Sequence, residues 1–284
     1  MIVVTGATGN VGREVVRSLA DRGVPVRAVA RRPGAVTFPS RVEVVAADLA
    51  TPDPAAPALV GARGVFLLGT FATPELLAHA REAGVEHVVA LTSRCVVGGR
   101  PDNAVTGMWL DAEAAVRASG VPWTILRPSG FHANALRWLP QLWQGDVVRA
   151  PWPGVPIASI DPADIAAVAA TALTDLGAGL VGAAPSLSGP EPLTPGDQIA
   201  ILARVLGRPL RYEPLGDADA RAAMLADGTP AELVDAQFRF FTDGEFDDSP
   251  VLDTVQRITG RPPRTFDAWA RDNAAAFAPV GPRR

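Results

Sequence analysis

The chain opens Ile2-Val3-Val4-Thr5-Gly6-Ala7-Thr8-Gly9-Asn10-Val11-Gly12 and runs directly into an amphipathic segment from Arg13 to Arg22. A β-branched run, three spaced glycines and a helical pattern in that order predict strand, tight loop and helix. Glycines at 6, 9 and 12 permit the turn, a close approach of the backbone to a bound group, and close packing of the helix on the strand. The helix start then presents unpaired N–H groups and the positive end of its dipole, which suit a phosphate. Nucleotide binding is the function this loop predicts.

Further along, short apolar runs at 26–30, 42–46, 64–68, 87–91 and 123–127 alternate with helical patterns at 73–83 and 110–119. Strands alternating with helices imply parallel βαβ units with right-handed crossovers, hence an α/β doubly wound parallel sheet. Ligands then belong at the carboxyl ends of the strands. After Pro128 the rhythm breaks: residues 131–156 hold Trp138, Trp143, Trp152 and several prolines, which suggests an irregular amphipathic flap. An Ala-rich helix follows from Asp161 to Leu176, with Asp161 or Asp164 as its cap. The expected organisation is a nucleotide-binding domain from 1–130 plus about 156–186. A smaller C-terminal α/β substrate lobe takes about 131–155 plus 187–284.

Composition removes other classes of function. Of 284 residues, 48% are hydrophobic and 20% charged, which is incompatible with a disordered chain. A net charge of −4 gives no electrostatic footprint for nucleic acid or an anionic membrane surface. One cysteine, Cys95, forbids an internal disulfide, and no signal-type segment precedes the first strand, so a cytoplasmic location is expected. Three scattered histidines with that cysteine offer no metal-ligand spacing. All 26 basic residues are arginine. Without lysine there is no Schiff base and no tyrosine–lysine proton relay.

Nineteen residues past Gly12, where an NAD-selective site carries a carboxylate for the ribose 2′-hydroxyl, stand Arg31 and Arg32. A guanidinium there can pair with a 2′-phosphate, so NADPH is expected over NADH. Asp48, after the third strand, is placed to accept from an adenine amino group or to cap a helix.

Taken together, the Thr5 to Gly12 loop, Val29 to Pro33, Ala47-Asp48, Leu91-Thr92-Ser93, Ala118 to Pro128, Gly130-Phe131 with Asn134, Gly207-Arg208-Pro209 with Tyr212, and Phe246 to Ser249 resemble an NmrA-like atypical short-chain dehydrogenase/reductase. The similarity is to the type-2 NAD(P)H:quinone oxidoreductase branch. It implies a Rossmann sheet in which Gly6, Thr8, Gly9, Asn10, Val11 and Gly12 hold the pyrophosphate. It further implies Arg31 on the 2′-phosphate, Asp48 and Leu49 at the adenine, and Gly69 and Thr70 along a ribose. Thr92 and Ser93 would face the nicotinamide, and Pro128 to Phe131 would bound its pocket. The family includes cofactor-sensing regulators as well as enzymes.

Classical members of that superfamily carry a Tyr-x-x-x-Lys proton donor after the fifth strand. Here the region reads Val105 to Glu113 without tyrosine, and Tyr212 is the only one in the chain. Reduction of a simple ketone needs a positioned acid, worth about 10²- to 10⁴-fold in rate. A quinone or conjugated carbonyl instead delocalises the incoming charge, so the sequence predicts an NADPH-dependent reductase of such a small aromatic or conjugated substrate. Ser93 and His132 are the candidate catalytic donors, with packing as the alternative for His132. Trp109, Phe131, Asn134 and Trp138 are the candidate substrate contacts, and an aromatic pocket fits specialised metabolism. A non-catalytic NADP(H) sensor, a redox-neutral isomerase on the same scaffold, and a homodimer remain open at this level.

Overall fold

The computed structural model describes residues 1–51 and 55–278. The leading strand, β1 (Ile2–Val4), passes through the glycine loop into α1 (Gly12–Asp21), followed by β2 (Val26–Ala30), β3 (Glu43–Ala46) and β4 (Gly64–Leu68). Next come α2 (Pro74–Glu82), β5 (His87–Leu91), α3 (Ala104–Ala118) and β6 (Trp123–Pro128). Beyond β6 lie a 3₁₀ segment (His132–Trp138), α4 (Leu139–Leu142), β7 (Val147–Ala150), α5 (Pro162–Thr174) and β8 (Ser186–Leu187). The chain ends in α6 (Pro195–Leu206), β9 (Arg211–Pro214), α7 (Asp217–Ala226), α8 (Ala231–Phe241), α9 (Thr254–Thr259) and α10 (Phe266–Asp272).

Seven strands form one sheet in the order β3-β2-β1-β4-β5-β6-β8, parallel at every pairing. Chain order reverses between β1 and β4, the position at which an open α/β sheet leaves a crevice for a ligand. The pleat sends alternate residues to opposite faces. Ile2 and Val4 pack with α1 and α5, whereas Val3 packs with α2 and α3. Helix α5 buries alanines at 166, 169, 170 and 172, and these small side chains let it lie close against α1.

Helix α3 starts at Ala104, six residues before the 110–119 pattern suggested. Asn103 explains the early start: its Oδ1 accepts from the Val105 amide at 3.0 Å, while its Nδ2 donates to the Ala236 carbonyl of α8. The region expected to be an irregular flap contains β7, which pairs in parallel with β9, a partner sixty-odd residues away that local patterning does not reveal. The C-terminal part does not keep to its own lobe either. Strand β8 joins β6 across the expected boundary at 187, and α9 puts Val255 into the core beneath α1 and α5. Around the small sheet, α6, α10 and the 3₁₀ segment do share a separate apolar cluster. Among the described residues no helix is long and apolar enough to cross a membrane.

A charged knot ties β5, α3 and β6. Buried Glu113 accepts from Thr92 Oγ1 at 3.1 Å, Arg117 at 2.8 Å and Arg127 Nε at 2.8 Å. Burial alone would raise its pKa, but the hydrogen bonds from Arg127 and Arg117 outweigh it and hold the carboxyl below the usual range. Glu113→Ala leaves the half-buried Arg127 guanidinium unpaired. The expected cost is about 3 kcal/mol in a urea melt at pH 7, and a loss under 1 kcal/mol would show that the knot is not stabilising.

Candidate active site

Gly6 adopts φ +58°, a left-handed turn open to glycine, and a Cβ on Gly12 would stand 2.2 Å from the Gly6 carbonyl oxygen. The loop therefore closes only with glycine at both ends, and it aims the start of α1 across the carboxyl edge of β1. No side chain caps α1. Among the described residues, the amides of Asn10, Val11 and Gly12 donate to no protein acceptor. Such a cradle of free N–H groups at a helix start fits a pyrophosphate. Thr8, Gly9 and Asn10 reach its surface. Arg31 and Arg32 follow β2, both exposed and both without a carboxylate partner among the described residues, as a 2′-phosphate would need. Asp48 lies exposed nearby and accepts from the Ala50 amide at 3.1 Å, while Leu49 is buried in the core.

The remaining expected cofactor contacts divide. Thr70 is exposed after β4 and Pro128 closes β6. Gly69 is a packing position: a Cβ there would meet the Leu91 carbonyl at 2.5 Å and the Trp109 ring at 2.9 Å. Thr92 turns its hydroxyl to Glu113, so that donor is spent within the protein. Ser93 accepts from the Cys95 amide at 3.3 Å, and its hydroxyl also hydrogen-bonds the Cys95 thiol.

Beside the carboxyl end of β6 lies a cavity of about 540 Å³. It is lined by Gly130, Asn134, Arg137 and Trp138 from the segment after β6 and by the apolar side chains of Trp152, Met224 and Phe241. Asn134 and Trp138 are thus brought together as expected substrate contacts. Trp109 and Phe131 are not. Trp109 packs into the core beside Gly69, and Phe131 bridges to Ile160 between two core clusters.

His132 lies elsewhere as well. It is 1% exposed, with Nδ1 3.0 Å from Ser159 Oγ, Nε2 3.3 Å from the Arg264 carbonyl, and its ring edge-on to Phe266. Burial lowers its pKa to about 4, so at neutral pH the ring is uncharged and is not an imidazolium acid. The donor role expected for His132 is therefore replaced by a packing role, because both ring nitrogens are engaged inside the protein and the ring does not line the cavity.

Three further residues shape the cavity. Asp248 accepts from the Gly130 amide at 2.9 Å and from Arg94 at 2.8 Å, fixing Gly130 in the lining of the cavity. Burial raises its pKa, against the pull of the Gly130 amide and Arg94. Trp152 holds φ 58° without being glycine, kept there by a 3.1 Å bond to Thr242 Oγ1 and by ring contacts with Phe238 and Phe241. Arg137 is the third. In the sequence, the tryptophans clustered around residues 138–152 pointed to Trp152 and the run Phe246 to Ser249 to Asp248; nothing pointed to Arg137.

The His132 environment makes a pH prediction. With the pKa lower in the folded state than in the unfolded chain, the unfolded state binds the extra proton. Stability is then full above about pH 6.5 and falls as pH drops toward 4, by ~3 kcal/mol from this group. His132→Gln should flatten that part of the stability profile between pH 4 and 6.5; an unchanged slope would mean His132 titrates normally.

Comparison with known proteins agrees with this geometry. A family model described as NAD(P)H-binding matches residues 6–176. A (4-alkanoyl-5-oxo-2,5-dihydrofuran-3-yl)methyl phosphate reductase from Streptomyces griseus is 44% identical over 98% of this chain and 100% of its own length. An NAD(P)H azoreductase from Xenophilus azovorans is 35% identical over 98% and 99%. Among solved structures, an NADPH-dependent quinone oxidoreductase from Escherichia coli superposes with TM-score 0.77, at 26% identity, covering 98% of this chain and 100% of that one. The chain belongs to the NAD(P)H-binding family and is an NAD(P)H-dependent oxidoreductase.

Proposed function

We propose that this protein uses NADPH to reduce a small molecule whose acceptor group delocalises charge, a quinone or a conjugated carbonyl. One observation carries the reading: the cleft at the carboxyl edge holds no phenol–ammonium acid. The chain has no lysine, and its only phenol, Tyr212 on β9, donates to the Ala150 carbonyl at 2.9 Å within the small sheet. When bound, the reduced nicotinamide supplies a hydride, so the acceptor gains two electrons and one hydrogen and then needs one proton. An enolate or phenolate takes that proton from water, whereas a saturated ketone would yield a strongly basic alkoxide and needs a positioned acid to protonate it as it forms.

The chain's own contribution is positioning. The free amides of Asn10, Val11 and Gly12 hold the pyrophosphate, Arg31 and Arg32 hold the 2′-phosphate, and Ser93 offers its hydroxyl to an oxygen of the acceptor. Trp138, Trp152 and Phe241 provide flat apolar walls that exclude water around a ring system. The relatives named above support this substrate class: a dihydrofuranone carrying an alkanoyl group, an azo compound and a quinone all spread incoming charge over a conjugated system.

Loss of absorbance at 340 nm with a panel of acceptors tests the proposal. Quinones and conjugated enones should be reduced at least ~100-fold faster than saturated ketones, and equal use of the two classes would overturn it. Arg31→Glu should raise the KM for NADPH ~10- to 100-fold, the value of a charge-assisted phosphate contact, and leave NADH within a few-fold. An equal rise for both cofactors would remove Arg31 from the 2′-phosphate.

A further inference from the structure

Two guanidiniums stand in the wall of the cavity, and they are not equivalent. Arg149 on β7 is paired with Glu213 at 2.7 Å. Arg137, on the 3₁₀ segment after β6, has no carboxylate partner among the described residues. Its Nε donates to the Asn134 carbonyl at 3.0 Å, which fixes the plane of the fork, and both terminal nitrogens are left without a protein acceptor. The side chain is exposed to the open cavity, and the atoms packed around it draw its pKa down without placing a protein anion beside it.

The carboxylates of the same wall do not neutralise it. Asp248 is committed to Arg94 and the Gly130 amide, and Asp227 is exposed at the end of α7 and forms no ion pair with Arg137. An oriented fork with two unsatisfied ends, facing an otherwise largely apolar chamber, has the geometry for a planar or tetrahedral oxyanion.

We infer that the acceptor carries an oxyanionic group, such as a phosphate monoester, and that Arg137 binds it while the aromatic walls hold the conjugated part near Gly130. Arg137 thus sets specificity and orientation, and takes no part in hydride or proton transfer. The inference rests on the reductase reading above and narrows its substrate class. It also accounts for a cation in a pocket whose aromatic walls alone would serve a neutral quinone.

The test compares 1,2-naphthoquinone with 1,2-naphthoquinone-4-sulfonate, which differ by one anionic group, in the wild type and in Arg137→Gln and Arg137→Lys. In the wild type the sulfonate should show a KM ~10- to 100-fold lower. Arg137→Gln should abolish that preference by raising the KM of the sulfonate to that of the neutral quinone, and Arg137→Lys should restore part of it. Equal KM values for the two quinones in the wild type, or the same loss for both in Arg137→Gln, overturn the inference and leave the reductase reading standing. Turnover of neither quinone counts against the reductase reading; calorimetric binding of phenyl phosphate to the NADP⁺-loaded protein then decides this one. Binding lost in Arg137→Gln supports it, whereas no binding, or binding unaffected by the substitution, overturns it.

Discussion

The carbonyl of Gly6 occupies the space in which a side chain on Gly12 would begin. That contact lets α1 start where β1 ends, with its first amides turned outward instead of folded into a capping side chain. Everything downstream depends on this placement. The helix packs on α5, the two cover one face of the sheet, and the reversal of strand order between β1 and β4 opens the crevice into which the free amides point. A larger residue at Gly12 would push the helix start away and remove the cradle together with the packing.

The second half of the site is assembled by charge. Asp248 reaches from the C-terminal region to the Gly130 amide, and Arg94 after β5 closes the same group from the other side. Arg264 joins Asp161 at the cap of α5, while its own backbone meets Asp164 and His132. Buried polar groups of this kind are costly when one partner is lost, so the cavity wall keeps its shape although its residues come from segments more than a hundred positions apart. The result is one rigid edge at the end of β6, with a nucleotide cradle on one side and an aromatic chamber on the other.

The chemistry that remains is set as much by what the residues are already doing as by their identity. The hydroxyls of Thr92 and Tyr212 are occupied by Glu113 and Ala150, and both nitrogens of His132 are engaged. Among the described residues these groups are committed within the protein, which is why we propose that orientation, exclusion of water and an acceptor able to carry charge do the work.

Much of the nucleotide-binding half was legible in the chain. Period-two and period-3.6 patterns marked six strands and the first helices, since each buries one face against the same core, and the glycine spacing marked a nucleotide-binding loop. The α3 start was hidden because Asn103 makes a long-range bond as well as a local cap. Strand β7 was hidden because its partner β9 lies far along the chain. Trp109, Phe131 and His132 looked like pocket residues by position alone; only packing shows His132 buried and Trp109 and Phe131 set half-buried against core clusters, while Trp152, Asp248 and Arg137 line the cavity. Composition had already decided that no lysine could assist the reaction. Which aromatic ring is a wall and which is core, and which arginine stays unpaired, depends on contacts between distant segments, and those exist only once the chain has folded.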